Sequence, residues 1–389
     1  MIDIGMTSAE NARLDRLLAA PHQIKVGVHV MSLDGDYKQD LSYALQAGQV
    51  TVDATADVSR SLDISFTDPL KRIQLDPDDP SKQSVFIADM LKVVYHVIDP
   101  NSDDRFTIPI FKGPIDTVVR SDTTIQVTAQ GKESLSLNNA YMGRTFKAGQ
   151  YKTDVIQHIL ADLCGETQLE IPDLTFKLPN DLKITHNSIP WKVAKRLASS
   201  MGRQLFYDGR GVCRMRDSSG AKNKPVFTIN DRWITAEPPQ ISYDMTTVLN
   251  TVIVKGAKPK KAKTNVTYTA VAPKDHPLSP WRLGRGGVPR YIFTVIENSA
   301  LRSVEECRKV AEERLNKHLR AGISVQWNGL IHPRLEPEDL VHINTDTVNA
   351  TIALDQFTIP LTVTPATFGY LKRVRPRGGV PPIRVKRTR

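Results

Sequence analysis

The chain is expected to be mainly β with α+β: two antiparallel β-barrel domains flanking a small α+β domain, with a helical insertion in the second barrel. Three observations predict this. Short stretches before residue 147 carry apolar residues at every second position and are divided by turn signals. Between residues 148 and 220 the apolar spacing becomes helical. Period two then returns on both sides of a loop-and-helix segment. The expected divisions are an N-terminal helix or extension (1–21), a first barrel (22–147), an α+β domain (148–220), a second barrel (221–257 and 322–376), an insertion (258–321) and a basic tail (377–389).

Thr7 and Glu10 have capping-box spacing, and Leu14, Leu17 and Leu18 follow on one side. Pro21 ends that helix. Ile24, Val26, Val28 and Val30 alternate with polar or small residues as in a half-buried strand. Asp34-Gly35 supplies a turn. Further strands are expected at Val50–Val52, Leu62–Phe66, Leu91–Ile98, Thr107–Phe111, Ile115–Val119 and Ile125–Ala129. Seven or so short strands in this span fit a barrel or sandwich.

Thr153 is expected to cap a helix carrying Val155, Ile156, Ile159, Leu160 and Leu163, ended by Gly165. Ser188 is expected to cap a second, with Pro190 in its first turn and Trp191, Ala194, Leu197, Ala198 and Met201 as its core stripe. A hairpin turns at Asp208-Gly209-Arg210-Gly211. Val248–Val254 reads as a strand, and 258–263 and 273–287 as exposed excursions. Ser303 and Glu306 open a helix to Leu319, stopped by Gly322. Strands follow at Ile323–Trp327, Leu340–Ile343, Ala350–Leu354 and Phe357–Val363, and a last one at Tyr370–Val374.

The net charge is +10, but eight basic residues and no acid lie between Lys372 and Arg389, which leaves about +2 for residues 1–371. The body is near neutral and does not describe a DNA-coating surface. Aromatics are 6% of the chain, too few for a stacking-based nucleic-acid reader. No run approaches the ~18 apolar residues of a membrane helix, and no signal peptide is expected. Cys164, Cys213 and Cys307 are scattered without a CxxC, as buried small hydrophobes would be.

Enzyme motifs are absent: no HExxH, GxSxG or GxxxxGK[ST] occurs. His332 and His342 have no carboxylate or cysteine at a ligand spacing. The acidic runs Asp76–Pro80 and Asp99–Asp104 lack the spacing that wraps a chain around Ca²⁺ and read as solvated turns. Gly284-Arg285-Gly286-Gly287 does not sit between a clear strand and a helix start, so it reads as a loop and not a phosphate cradle. No catalytic residue, metal ligand or cofactor is expected.

The order of several strings resembles the baseplate hub proteins of long-tailed phages. Val50-Thr51-Val52-Asp53, Asp57-Val58-Ser59-Arg60-Ser61-Leu62 and Phe66-Thr67-Asp68-Pro69 resemble that family's first barrel, and Phe111-Lys112-Gly113-Pro114-Ile115-Asp116 its closing strand pair. Tyr151–Ile156, Ser188–Ala194 and Leu205–Gly211 resemble the two helix openings and hairpin of its next domain. Asn250–Gly256 is similar to the strand entering the second barrel, and His332–Val341 to a proline-bounded turn before a barrel strand. The resemblance spans roughly 22–376 and extends to the hub part of contractile-tail and type VI secretion spikes.

It implies a structural, non-enzymatic protein of the virion tail tip, made in the host cytoplasm and assembled as a homotrimer. The implied partners are a distal tail protein or tail-tube ring, the next tail-tip or fibre protein and the tape measure protein, with DNA only in transit. A tail-associated wall hydrolase and a hexameric distal ring protein are the alternatives. The chain ends soon after its last expected strand, so lytic or piercing activity is expected in another protein. The candidate partner-binding residues are Lys258, Lys260, Lys261 and Lys263 in a basic loop, with Arg375, Arg377, Arg384, Lys386, Arg387 and Arg389 in the tail. Pro376, Gly378-Gly379 and Pro381-Pro382 are expected to keep that tail free of regular structure.

Overall fold

The computed structural model describes the chain except residues 21, 77, 80, 81, 88, 103, 104, 139, 141, 218–223, 235–237, 245, 247, 259–263, 300, 328, 362–367, 370–376 and 380–389; the side chains of 320–323, 368, 369 and 377–379 are also outside the described set. The protein is mainly β.

Helix α1 (Ser8–Leu18) starts in the expected capping box between Thr7 and Glu10 and buries Leu14, Leu17 and Leu18. Strands β1 (His22–Met31), β2 (Tyr37–Asp40), β3 (Leu45–Asp53), β4 (Arg60–Thr67) and β5 (Met90–Ile98) follow. Sequence alternation suggested two strands at 107–111 and 115–119; they are one, β6 (Arg105–Ser121). Its first part pairs with β5 and its second with β7 (Thr124–Gln130), the exchange falling at Gly113-Pro114. A Cβ on Gly113 would lie 1.9 Å from the Gln130 carbonyl oxygen, so this corner admits only glycine. The two residues that read as a turn instead bend a continuous strand.

The middle unit contains β8 (Arg144–Phe146), α2 (Lys152–Cys164), β9 (Leu169–Glu170), β10 (Leu182–Ile184), α3 (Pro190–Ser200) and the hairpin β11 (Arg203–Tyr207) and β12 (Cys213–Asp217). Both expected caps are displaced. Thr153 lies inside α2 and is buried, and the N-cap position belongs to Tyr151. Ser188 lies before the Ile189 N-cap and its hydroxyl accepts from the Thr185 amide instead. Gly165 does end α2, at φ 71°. The helices and hairpin enclose a separate core around Trp191, Ile156, Ile159 and Leu205.

Next come β13 (Phe227–Ile229), β14 (Gln240–Tyr243), β15 (Thr251–Lys255), β16 (Thr267–Val271), α4 (Pro280–Leu283), β17 (Phe293–Glu297) and α5 (Val304–Gly322). The expected capping box opens α5: the Ser303 hydroxyl accepts from the Glu306 amide and the Glu306 carboxylate from the Ser303 amide. Val248–Val254 was expected to lead into the second barrel. It becomes β15, the centre of a separate sheet ordered β16-β15-β17, with Val252 and Val254 packed on Cys307, Ala311 and Leu315 of α5. A strand apolar on both faces does not specify which sheet it joins, and the helix that covers it decides. The 273–287 excursion is not wholly exposed, since His276, Leu278, Ser279 and Pro280 are buried.

The chain closes with β18 (Ile323–Gln326), β19 (Leu340–Asn344), β20 (Asn349–Pro360), β21 (Phe368–Gly369) and β22 (Arg377–Gly379). The two strands expected across 350–363 are again one, β20. The strand expected at Tyr370–Val374 lies outside the described residues. The expectation of no regular structure in the tail fails at its start, where β22 pairs with β18 and β20. Glycines carry no alternation, but their amides and carbonyls still complete a ladder.

These strands form one fourteen-stranded sheet running β14-β18-β22-β20-β3-β4-β7-β6-β5-β1-β2, with β13, β19 and β21 attached at its sides. The two β regions are joined by antiparallel pairing of β20 with β3, from Gln356 opposite Asp53 to Pro360 opposite Gln49. They share one core, from Leu14 and Val28 to Ile352 and Phe357. Among the described residues the sheet does not close into a barrel.

Candidate functional site

The segment from Gly329 to Val341 is buried throughout, although it is a loop for most of its length and carries Arg334, Glu336, Glu338 and Asp339. Buried charges need partners, and these come from the N-terminal segment with α1, from the large sheet and from the β11–β12 hairpin. Arg334 donates to the Ile2 carbonyl at 2.7 and 3.0 Å, and His332 Nε2 lies 3.0 Å from Asp15 of α1. Asp339 binds the N-terminal ammonium at 2.6 Å through one oxygen and Arg216 of β12 at 2.8 Å through the other. Glu336 meets Arg60, the first residue of β4, at 2.6 Å, and both side chains are almost wholly buried. Arg60 also donates to the Ile110 carbonyl of β6, and Glu336 accepts from the Gly209 amide of the β11–β12 turn. Burial pushes the Glu336 carboxyl up, and the Arg60 guanidinium pulls it back toward the charged form.

A second group lies beside the first. Glu133 follows β7 in a 3-10 turn (Lys132–Ser136) and accepts from the Ser59 hydroxyl at 2.5 Å, the Ser59 amide at 3.2 Å and the Tyr207 amide at 3.4 Å. Its other carboxylate oxygen is buried with no partner among the described residues. Lys132 pairs with Glu166 at 2.7 Å. Trp191 Nε1 donates to the Asp57 carbonyl at 3.0 Å, and Lys195 Nζ to the Ala56 carbonyl at 3.1 Å. The loop between β3 and β4 is thereby fastened to α3.

Between these elements opens a cleft of about 730 Å³, walled by the β3–β4 loop, α3 and α5, with Glu133 and Trp191 at its lining. Its lining holds acids and bases in mixture but no histidine or cysteine. The Ser59 hydroxyl donates to Glu133, and burial pushes that carboxyl up. Among the described residues no group of three metal-ligating side chains occurs. The arrangement fastens three parts of the fold together.

Glu133 gives a pH expectation. Its carboxyl is raised by burial, so the folded protein holds a proton that the unfolded chain has already lost. The stability this proton brings is present at low pH and disappears as pH rises through the raised value. Glu133→Gln keeps an acceptor for Ser59 and Tyr207 and cannot ionise. Urea unfolding at about pH 5 and about pH 8 should show a smaller loss of stability with rising pH in the variant than in the parent. Equal losses would reject this assignment.

Of the residues singled out from the sequence, Lys258 is exposed just after β15. Arg377 contributes its backbone to β22. Lys260, Lys261, Lys263, Arg375, Arg384, Lys386, Arg387 and Arg389 lie outside the described residues. Lys258 is not among the residues of the buried junction. Arg60, Glu133, Glu336 and Asp339 were not singled out for partners, because Arg60 and Glu336 stand 276 positions apart and neither has a local motif. One available signal was the density of charge in His332–Asp339 between the apolar runs Leu330-Ile331 and Leu340-Val341.

No protein-family model and no curated protein matches the sequence. Solved structures do match the fold. A tail protein from Neisseria meningitidis MC58 superposes with TM-score 0.59 at 13% identity, covering 91% of this chain and 96% of that one. A 43 kDa tail protein of prophage MuSo2 from Shewanella oneidensis gives 0.59 at 13% identity, covering 92% and 98%. A Francisella PdpA-VgrG complex matches at 0.51 and 7% identity, covering 97% of this chain and 62% of that one. The buried junction and the sheet it braces are therefore carried by a fold that this chain shares with phage tail proteins.

Proposed function

We propose that the chain is the structural hub of a phage tail tip, three copies of which close a ring that joins a hexameric tail tube to the tip and its fibre or piercing proteins. The observation that carries this reading is the fold likeness to the two tail proteins, which runs over 91% and 92% of this chain and 96% and 98% of theirs. The mechanical logic supports it. A ring subunit needs rigid β domains and fastened joints, and the β3–β20 pairing with the Arg60–Glu336 contact gives the fold both. Two barrel-like β regions per chain, three times over, offer six positions to a six-fold tube.

In this reading the protein acts without catalysis in the virion, and its neighbours are the tube or distal ring, the next tip protein and the tape measure protein. Lys258, Lys260, Lys261 and Lys263 face an acidic neighbour. Arg375, Arg377, Arg384, Lys386, Arg387 and Arg389 form a basic tether to the next tip component.

Native mass measurement of the purified chain at assembly concentration tests the stoichiometry: three copies are expected, and a stable hexamer or monomer contradicts it. Truncation after Gly379 keeps β22 and removes Arg384, Lys386, Arg387 and Arg389. The trimer should persist while particles lose the next tip component. Complete, infectious tips would reject the tether.

A further inference from the structure

The small sheet built by β15, β16 and β17 has one face on α5 and the other open. On the open face Ile253 and Lys255 of β15 stand beside Val295 and Glu297 of β17, and Phe293 lies opposite the buried Thr251. Phe293 is 57% and Val295 41% exposed. Tyr291, two residues before Phe293, is also exposed and meets the exposed Trp281 ring at 6.3 Å. The aromatic and branched side chains thus continue off the strand onto α4, where a stable sheet would otherwise carry polar residues.

The strand itself is also open. Among the described residues β17 pairs only with β15. The Ile292 carbonyl accepts from the Asn250 and Thr251 amides, and the Asn298 amide donates to the Lys255 carbonyl. Backbone groups alternate along a strand, so the even positions face β15 and Phe293, Val295 and Glu297 turn their N–H and C=O groups to the free edge. Edge strands are ordinarily guarded by lysine, proline or a bulge. Here Glu297 is the one charged residue of the edge strand β17, and Lys255 already holds it at 3.4 Å.

The surroundings are basic. Between Pro273 and Val295 stand Lys274, Arg282, Arg285 and Arg290 against the single acid Asp275. Arg282, Arg285 and Arg290 are exposed and make no ion pair among the described residues. The connection that leaves β15 carries the four lysines from Lys258 to Lys263.

We propose that the β17 edge and its open face are a docking site for an extended acidic segment of another protein, which adds to the sheet as a strand. Main-chain hydrogen bonds to Phe293 and Val295 hold it, its alternate apolar side chains cover the open face, and its acids meet the arginines at the start of β17.

The test uses the full chain and a fluorescein-labelled peptide that alternates valine and threonine and ends in three glutamates, followed by anisotropy. The acidic peptide should bind, and the same peptide with lysines for glutamates should not. Val295→Pro removes an edge N–H that no ladder uses, so the protein should fold while affinity falls at least about tenfold. Phe293→Ser, which leaves the backbone unchanged, should weaken binding in the same direction. Arg285→Glu with Arg290→Glu should weaken it and flatten its salt dependence. No binding, equal binding of the lysine peptide, or unchanged affinity in the folded variants overturns the proposal. So does a change in the copy number of the assembled chain caused by Phe293→Ser, which would make the occupant a second copy.

Discussion

Replacing Glu336 with alanine should destabilise the protein by about 3–5 kcal/mol, because it leaves the Arg60 guanidinium buried without its counter-charge. The Arg60 side chain is 2% exposed, and its remaining contact at the site is the Ile110 carbonyl. Its Nε has no hydrogen-bond partner among the described residues. The loss also frees the Gly209 amide, which donates to the other Glu336 oxygen. A buried pair replaced as a unit behaves differently. Arg60→Met with Glu336→Leu removes both charges and should recover most of the loss, to within about 1–2 kcal/mol of the parent. Urea unfolding of the two variants separates these outcomes. A Glu336→Ala protein within about 1 kcal/mol of the parent would show that the pair does not brace the junction.

Trp191→Ala should cost a similar amount, about 3–5 kcal/mol, for a different reason. The indole is fully buried in the middle core, packs at 5.4 Å on the Tyr207 ring and fastens the Asp57 carbonyl. Truncation leaves a large cavity under α3 and unties the β3–β4 loop from it. Trp191→Phe keeps most of the volume and loses only the indole hydrogen bond, so its own cost beyond repacking should be about 1 kcal/mol. Unfolding by denaturant again provides the measurement. A fully stable Trp191→Ala protein would mean that this side chain serves binding and not the core.

Local structure was legible in the sequence where one element carries its own evidence. The capping boxes at Thr7–Glu10 and Ser303–Glu306 form as their spacing implies, and the alternation from Ile24 to Val30 marks a strand that is one. What the sequence did not show is which strand finds which sheet. Val252 and Val254 are apolar in a way that suits either the large sheet or the small one, and only the arrival of α5 distinguishes them. Gly113-Pro114 reads as a turn because both residues break ladders, yet here they bend β6 between two partners. The β3–β20 join has no sequence signature at all, since it links residues about 300 positions apart.

The buried junction was hidden for the same reason. Arg60, Glu133, Glu336 and Asp339 are ordinary surface types by composition, and their value arises from convergence in space. The basic loop and tail stood out because charge runs are visible locally. Beyond the strand Arg377–Gly379, the tail residues lie outside the described set.

A three-fold hub at the end of a tail tube is what we propose for this chain. Reconstruction of the tail tip from purified particles, without imposed symmetry, tests it most directly. Three copies of this chain are expected in one closed ring at the tube's end, each placing two β regions around the channel. Six copies in that ring, or a tip from which the chain is missing, would contradict it.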